Sequence, residues 1–169
     1  GSEMCIRDRL KYLAVDFDIK EEEFQKTSAN NLTERLYKEV RDTFSRKTET
    51  IAKQAFPVIK NVFEQRGEMF KNIVVPFTDG KRAYNVVANL EKTYKSEGEE
   101  LIRAYEKSIM LAHIDDAWKE HLREMDDLKQ SVQNATYEQK DPLLIYKFES
   151  FNLFKSMVDK INKNVVSTL

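Results

Sequence analysis

The sequence predicts a mainly all-α fold: a helical wing carrying one small β-hairpin, followed by a long antiparallel helical hairpin. Three observations predict it. From Glu99 to about Asn134 there is neither proline nor glycine, and apolar side chains recur at three- and four-residue spacing. A helix-start signal, Asp141-Pro142, follows soon after and opens a second such stretch. The one β-rich segment, Asn72 to Val87, is centred on the turn dipeptide Asp79-Gly80.

Residues 1–9 are set apart. Gly1-Ser2 reads as a cloning scar, and Met4-Cys5-Ile6-Arg7-Asp8 can be encoded by an end sequence used in transposon-based DNA library preparation, so an adapter origin is expected for this segment. The wing is then expected over 10–98. Asp18 with Glu21 forms a box that caps a short acidic helix through Lys26. Asn31, with Glu34 three residues on, is expected to open a longer helix. Its apolar positions Leu32, Leu36, Val40 and Phe44 recur every fourth residue, and Ile51, Ala55, Ile59 and Phe63 extend the pattern. Pro57 removes one hydrogen bond and clashes with the preceding turn, which predicts a kink or break near Ala55-Phe56.

The runs Ile73–Phe77 and Ala83–Val87 predict two strands, with Pro76 tolerated only at an edge; an irregular apolar loop is the alternative. An isolated hairpin is marginal in water, so this one is expected to lie against the wing helices. Ser96 with Glu99 reads as a capping box for the main helix, with Gly98 in its first turn. At 1.5 Å per residue that helix is roughly 50 Å long. Its predicted inward stripe is Met110, Ile114, Ala117, His121, Met125, Leu128 and Val132. In the second helix Asp141 is the N-cap and Pro142 the first helical residue, where a missing N–H costs nothing. Its stripe reads Leu144, Phe148, Phe151, Phe154, Val158, Ile161 and Val165. Two such helices joined by about seven residues run antiparallel.

Composition narrows the function classes. Net charge is −1 with 34% charged residues, so nothing in the bulk calls for nucleic acid. From Lys129 onward six lysines oppose four acids, too small an excess to require an anionic partner. No apolar run approaches the roughly 20 residues of a membrane span. The lone Cys5 forms no internal disulfide, which fits a reducing setting. No phosphate-binding glycine loop is present. His113 and His121 stand eight residues apart among Asp116, Glu120 and Glu124, which meets no metal-ligand spacing, so no metal site is assigned. No serine or cysteine stands beside them for nucleophilic catalysis, and no catalytic residue is assigned.

Two features stand out from this background. Trp118 lies beside the inward stripe, where packing explains it; contact with another molecule is the second reading. Tyr137 sits in the loop between helix ends with Ala135, Thr136 and Glu138 around it, where the hairpin offers nothing to bury it. It is either an ordinary surface tyrosine or a contact residue. Lys140-Asp141-Pro142 reads first as helix-start chemistry.

The runs Asp115–Val132 (DDAWKEHLREMDDLKQSV), Tyr137–Val158 (YEQKDPLLIYKFESFNLFKSMV) and Val165–Leu169 (VVSTL) resemble the C-terminal part of the motor region of the SecA family. These are ATPases that drive secretory proteins through the bacterial SecY channel. The resemblance is gapless or nearly so from about Glu99 to Leu169, and 31–98 has the position and character of the family's helical wing. It implies that 99–169 is the helical scaffold and two-helix finger, with Tyr137 as the fingertip that meets the preprotein at the SecY entrance. Thr136, Glu138 and Lys140 would flank that contact, and Lys140 would meet acidic groups of the channel. Trp118, His121, Asp141 and Pro142 would serve structure and coupling. Relatives often carry glycine and more basic residues just before this tyrosine, whereas this chain has Ser131 to Thr136. The resemblance further implies ATP and Mg in nucleotide-binding domains outside this chain, none within it, and a cytoplasmic location peripheral to the inner face of the plasma membrane. The rival reading is a stand-alone helical hairpin that binds a partner helix or oligomerises.

Overall fold

Ser28 opens the first helix, α1 (Ala29–Arg66): its side-chain oxygen accepts the Asn31 N–H at 3.3 Å and its carbonyl accepts the Leu32 N–H. The computed structural model describes residues 26–78, 80, 82–135 and 141–169. The expected acidic helix from Asp18, and Asp79 of the turn, lie outside the described residues. Asn31 is therefore inside α1 and not its cap, because Ser28 supplies the same chemistry one turn earlier. The expected break at Ala55-Phe56 is absent, and α1 continues through Pro57. Proline removes one N–H, yet the side chains on either side of it are packed. Ile59 is buried, and Phe56 and Phe63 both stack on Tyr94, with ring centroids 6.1 and 4.3 Å away.

Beyond α1, strands β1 (Asn72–Thr78) and β2 (Ala83–Asn89) pair antiparallel, from Asn72 opposite Asn89 to Thr78 opposite Ala83. The expected hairpin is there, with Pro76 in a two-stranded sheet where both strands are edges. Gly80 takes a positive φ of 85° and donates its N–H to the Thr78 hydroxyl. Alternation decides the packing: Tyr84, Val86 and Ala88 of β2 are buried while Ala83, Asn85 and Val87 are exposed. Asn89 then ends the strand and caps α2 (Leu90–Lys95) through its side chain, which accepts the Lys92 N–H at 2.9 Å. Leu90 and Thr93 of α2 are fully buried. The Tyr94 ring of α2 is the one that Phe56 and Phe63 of α1 cover.

Ser96, Glu97 and Gly98 turn the chain into α3 (Glu99–Ala135). Ser96 closes α2, and its hydroxyl also accepts the Glu100 N–H at 3.0 Å. Gly98 is not in the first turn of α3 but before it, at φ 101°, and donates to the Thr93 carbonyl. A Cβ there would stand 3.2 Å from both the Cβ and the carbonyl oxygen of Ala52. The glycine thus meets two demands, a left-handed turn and a close approach to α1. Early in α3, Leu101 and Ile102 are buried, and Tyr105 packs its ring on Phe77 of β1 at 4.5 Å. The hairpin therefore leans on the start of the long helix, and not only on wing helices. A first compact unit ends at Ser108 and also takes in Leu169; a second runs from Ile109 to Thr168.

The second unit contains the remainder of α3 and α4 (Pro142–Thr168). Side-chain contacts between residues 113 and 168, and between 121 and 154, fix the two helices as antiparallel. Both predicted stripes need correction. On α3 the buried positions are Ile109, His113, Ala117, His121 and Val132, with Met125 and Leu128 half-buried; Met110 and Ile114 are exposed. The seam begins one residue earlier than the apolar residues suggested. On α4 Met157 and Val165 are buried, and Ile145, Leu153, Val158 and Ile161 half-buried. Leu144, Phe148 and Phe151 are 66%, 64% and 65% exposed, and Phe154 is exposed too. The large apolar residues were read as one face, yet they form a second face beside the seam. Aromatic size favours burial only where a surface exists to receive it.

Gly98→Ala is expected to lower stability by about 2 kcal/mol, because it adds left-handed strain to a tight contact. Urea unfolding followed by far-UV circular dichroism measures this, and an unchanged midpoint would refute the steric account.

Candidate functional site

The loop expected to carry the contact lies between two helix ends that are well defined by their local chemistry. At its far side the Asp141 carboxylate accepts the Leu143 N–H at 2.9 Å and its carbonyl accepts the Ile145 N–H, while Pro142 is the first residue of α4. This is the N-cap and first-position proline arrangement, in which an orphan helix donor is satisfied and the missing N–H is harmless. The near side is the end of α3 at Ala135. Thr136, Tyr137, Glu138 and Lys140 lie outside the described residues.

Within the second unit, Trp118 and His121 come together with Phe154. The imidazole of His121 is 7% exposed, 5.7 Å from the Trp118 ring and 6.1 Å edge-on from that of Phe154. One turn of α3 brings residues 118 and 121 to the same side, and α4 supplies the third ring. Trp118 is 47% exposed, so its indole packs along one edge and leaves the other to solvent. Beside it, Asp115 hydrogen-bonds Lys119 and holds that ammonium above its usual pKa; both groups are exposed.

His113 does more than the sequence reading assigned to it. Its Nε2 lies 2.9 Å from the Thr168 hydroxyl, and that hydroxyl is 2.8 Å from the Asn164 carbonyl. The threonine has one proton, and the carbonyl can only accept. Thr168 therefore donates to Asn164 and accepts from His113, which puts a proton on Nε2. The signal was available: His113, Ala117 and His121 stand at successive four-residue steps, the spacing of one helix stripe. The expected stripe already includes His121; His113 escapes it because Met110 and Ile114 are the more apolar choices. Among the described residues, no three or more His, Cys, Asp or Glu side chains are grouped to hold a metal ion. Nor is any helix among them long and apolar enough to cross a membrane.

The family model described as the SecA wing and scaffold domain matches residues 4–169. The chain belongs to this SecA family. It is 52% identical over 160 residues to the protein translocase subunit SecA of Phocaeicola vulgatus, covering 95% of this chain and 15% of that protein. The SecA subunit of Bacteroides thetaiotaomicron is 52% identical over 167 residues, 99% of this chain and 15% of its own length. That of Flavobacterium psychrophilum is 51% identical over 160 residues, 95% and 14% respectively. This sequence thus spans about one-seventh of the SecA relatives it matches. No solved structure matches it. These relatives are named as protein translocase subunits.

Thr168→Val keeps the shape of the side chain but removes the acceptor for His113. Loss of one such hydrogen bond costs roughly 0.5 to 1.5 kcal/mol. The expected outcome is a loss in that range in denaturant unfolding, with the His113 ring proton exchanging faster by NMR. Equal stability and equal exchange would show that the bond does not hold the seam.

Proposed function

We propose that this region is the part of a SecA motor that meets the translocating chain. The wing and scaffold are tied to nucleotide-binding domains outside this sequence, and ATP binding and hydrolysis there change the motor's conformation. Helix α3 carries that change towards the loop at 136–140, where Tyr137 contacts unfolded preprotein at the entrance of the SecY channel. Thr136 and Glu138 flank the contact, and Lys140 meets acidic groups of the channel. Trp118, His121, Asp141 and Pro142 keep the hairpin stiff and coupled. A flat amphipathic ring suits a grip that must tolerate any sequence. The same hairpin restrains the ATPase when no preprotein is engaged. The region works in the cytoplasm, at the inner face of the plasma membrane.

The observation that carries this reading is the family match across 4–169 together with an unbroken 37-residue helix that ends one residue before the loop. Proline and glycine are absent from it, so it has no built-in hinge. The second reading, a hairpin that oligomerises by itself, draws support from the exposed Phe148 and Phe151. Sedimentation of the 169-residue chain separates the two, since a stable dimer at low micromolar concentration favours the second.

The decisive experiment is cross-linking in the complete parent protein, with Cys5 replaced and Tyr137→Cys introduced, in the presence of stalled preprotein and SecY channel. Cross-links to both are expected from position 137 and not from a probe at Glu106. If position 137 reacts with neither while translocation proceeds, the fingertip reading fails. A second expectation concerns the nucleotide: titrating Mg-ATP into the 169-residue chain should give no binding heat. Saturable heat would put a nucleotide site within this region.

A further inference from the structure

The two edges of the β1–β2 ribbon differ in what their backbones offer. The Leu90 N–H donates to the Lys71 carbonyl, one step beyond the Asn72–Asn89 pair of the register. An antiparallel ladder alternates bonded and unbonded pairs, so Ile73–Ala88, Val75–Val86 and Phe77–Tyr84 are the bonded ones. The pairs between them, Val74–Val87, Pro76–Asn85 and Thr78–Ala83, turn their backbone groups outward. Pro76 agrees with this phase, because a residue without an N–H fits where no cross-strand donor is needed.

On the β1 side, Pro76 leaves a gap in the middle of the outward row. On the β2 side, Ala83, Asn85 and Val87 each direct one N–H and one C=O away from the ribbon, at steps of about 6.8 Å. All three residues are exposed, and no partner for these outward groups is found among the described residues. The row ends at Val87, since the Asn89 carbonyl accepts the Thr93 hydroxyl at 2.6 Å. Sheet edges are usually closed by charged side chains, proline, a bulge or a covering element. Strand β2 carries no charge and no proline, and its unbroken register with β1 contains no bulge. Beside this edge Val87 and its partner Val74 are both exposed, which adds apolar surface on the outer side of the ribbon.

We propose that the free edge of β2 takes up an extended polypeptide segment as a third strand, bonded to Ala83, Asn85 and Val87. The unpaired groups fix the class of partner: a row of donors and acceptors at strand spacing is matched by another extended backbone. A helix satisfies its own backbone groups and cannot match it. Main-chain bonds supply the affinity, so the partner's sequence is loosely restricted. It favours β-branched residues beside Val87 and excludes proline where the segment must donate to β2. The site belongs to the first unit and does not use residues 136–140, so its failure would leave the fingertip reading untouched.

Amide hydrogen exchange followed by NMR on the intact 169-residue chain tests this residue by residue. The probe is a lysine-flanked peptide of alternating threonine and valine; the control has two adjacent central residues replaced by proline. In the free chain the amides of Ala83, Asn85 and Val87 should exchange quickly, and those of Tyr84, Val86 and Ala88 slowly. The probe is expected to slow the first three by at least about fivefold, as one net hydrogen bond gives, and the control should not. Asn85→Pro removes the central outward N–H at a position that, like Pro76, makes no cross-strand bond. It should weaken probe binding by a similar factor. Three outcomes on the unsubstituted chain would overturn the proposal. They are slow exchange of Ala83, Asn85 and Val87 without probe, protection that follows protein concentration as two copies pair edge to edge, and no protection by the probe.

Discussion

Everything in the second unit depends on the register in which α3 lies against α4. A helix pair is defined by which residues enter the seam, and here the entry points on α3 are Ile109, His113, Ala117 and His121. Their four-residue step overshoots one full turn, about 400° against 360°, so the seam drifts around α3 as it advances. The bond from His113 to Thr168 fixes one end of this register, and the edge contact of His121 with Phe154 fixes a point farther along. With those positions set, Ile114, Trp118 and Leu122 are carried out of the seam. The outward aromatic face is thus a geometric result of the buried one.

How much of this could be read from the residues varies with the kind of signal. Local chemistry was readable: Asp141-Pro142 starts a helix because a carboxylate and a proline satisfy the same few backbone groups in any context. The β-hairpin and both ends of α3 follow from equally local rules. Signals that depend on a neighbour were not readable. Pro57 ends no helix because Tyr94, distant in sequence, holds the aromatic rings on either side of it. Gly98 resembles a weak first turn until Ala52 is seen to occupy the space its side chain would need.

The candidate site shows the same division. Trp118 and His121 were singled out, and the structure brings them together with Phe154. Their neighbours on the stripe were misplaced, since hydrophobicity ranks Met110 and Ile114 as better core residues than a histidine. A histidine whose ring finds a hydroxyl to bond can be buried at little cost, and the phase of the helix then follows it. Periodicity gives the spacing of a stripe; the partners of its polar members give its phase.

One feature of the first unit ties its strand and helix into a single moving part. Strand β2 passes into α2 at Asn89 with no intervening residue, and the Leu90 N–H is held by the Lys71 carbonyl just before β1. A slip of β2 by one position would turn Tyr84, Val86 and Ala88 to the opposite side of the ribbon. Drawing one more residue into α2 would meanwhile swing Tyr94 by about 100° around its axis, away from Phe63. Ribbon and helix are meshed like gear teeth, so an insertion or deletion here cannot be absorbed locally. Length variation between β2 and α2 should therefore be far less tolerated than at the 79–82 connection, where the ribbon turns.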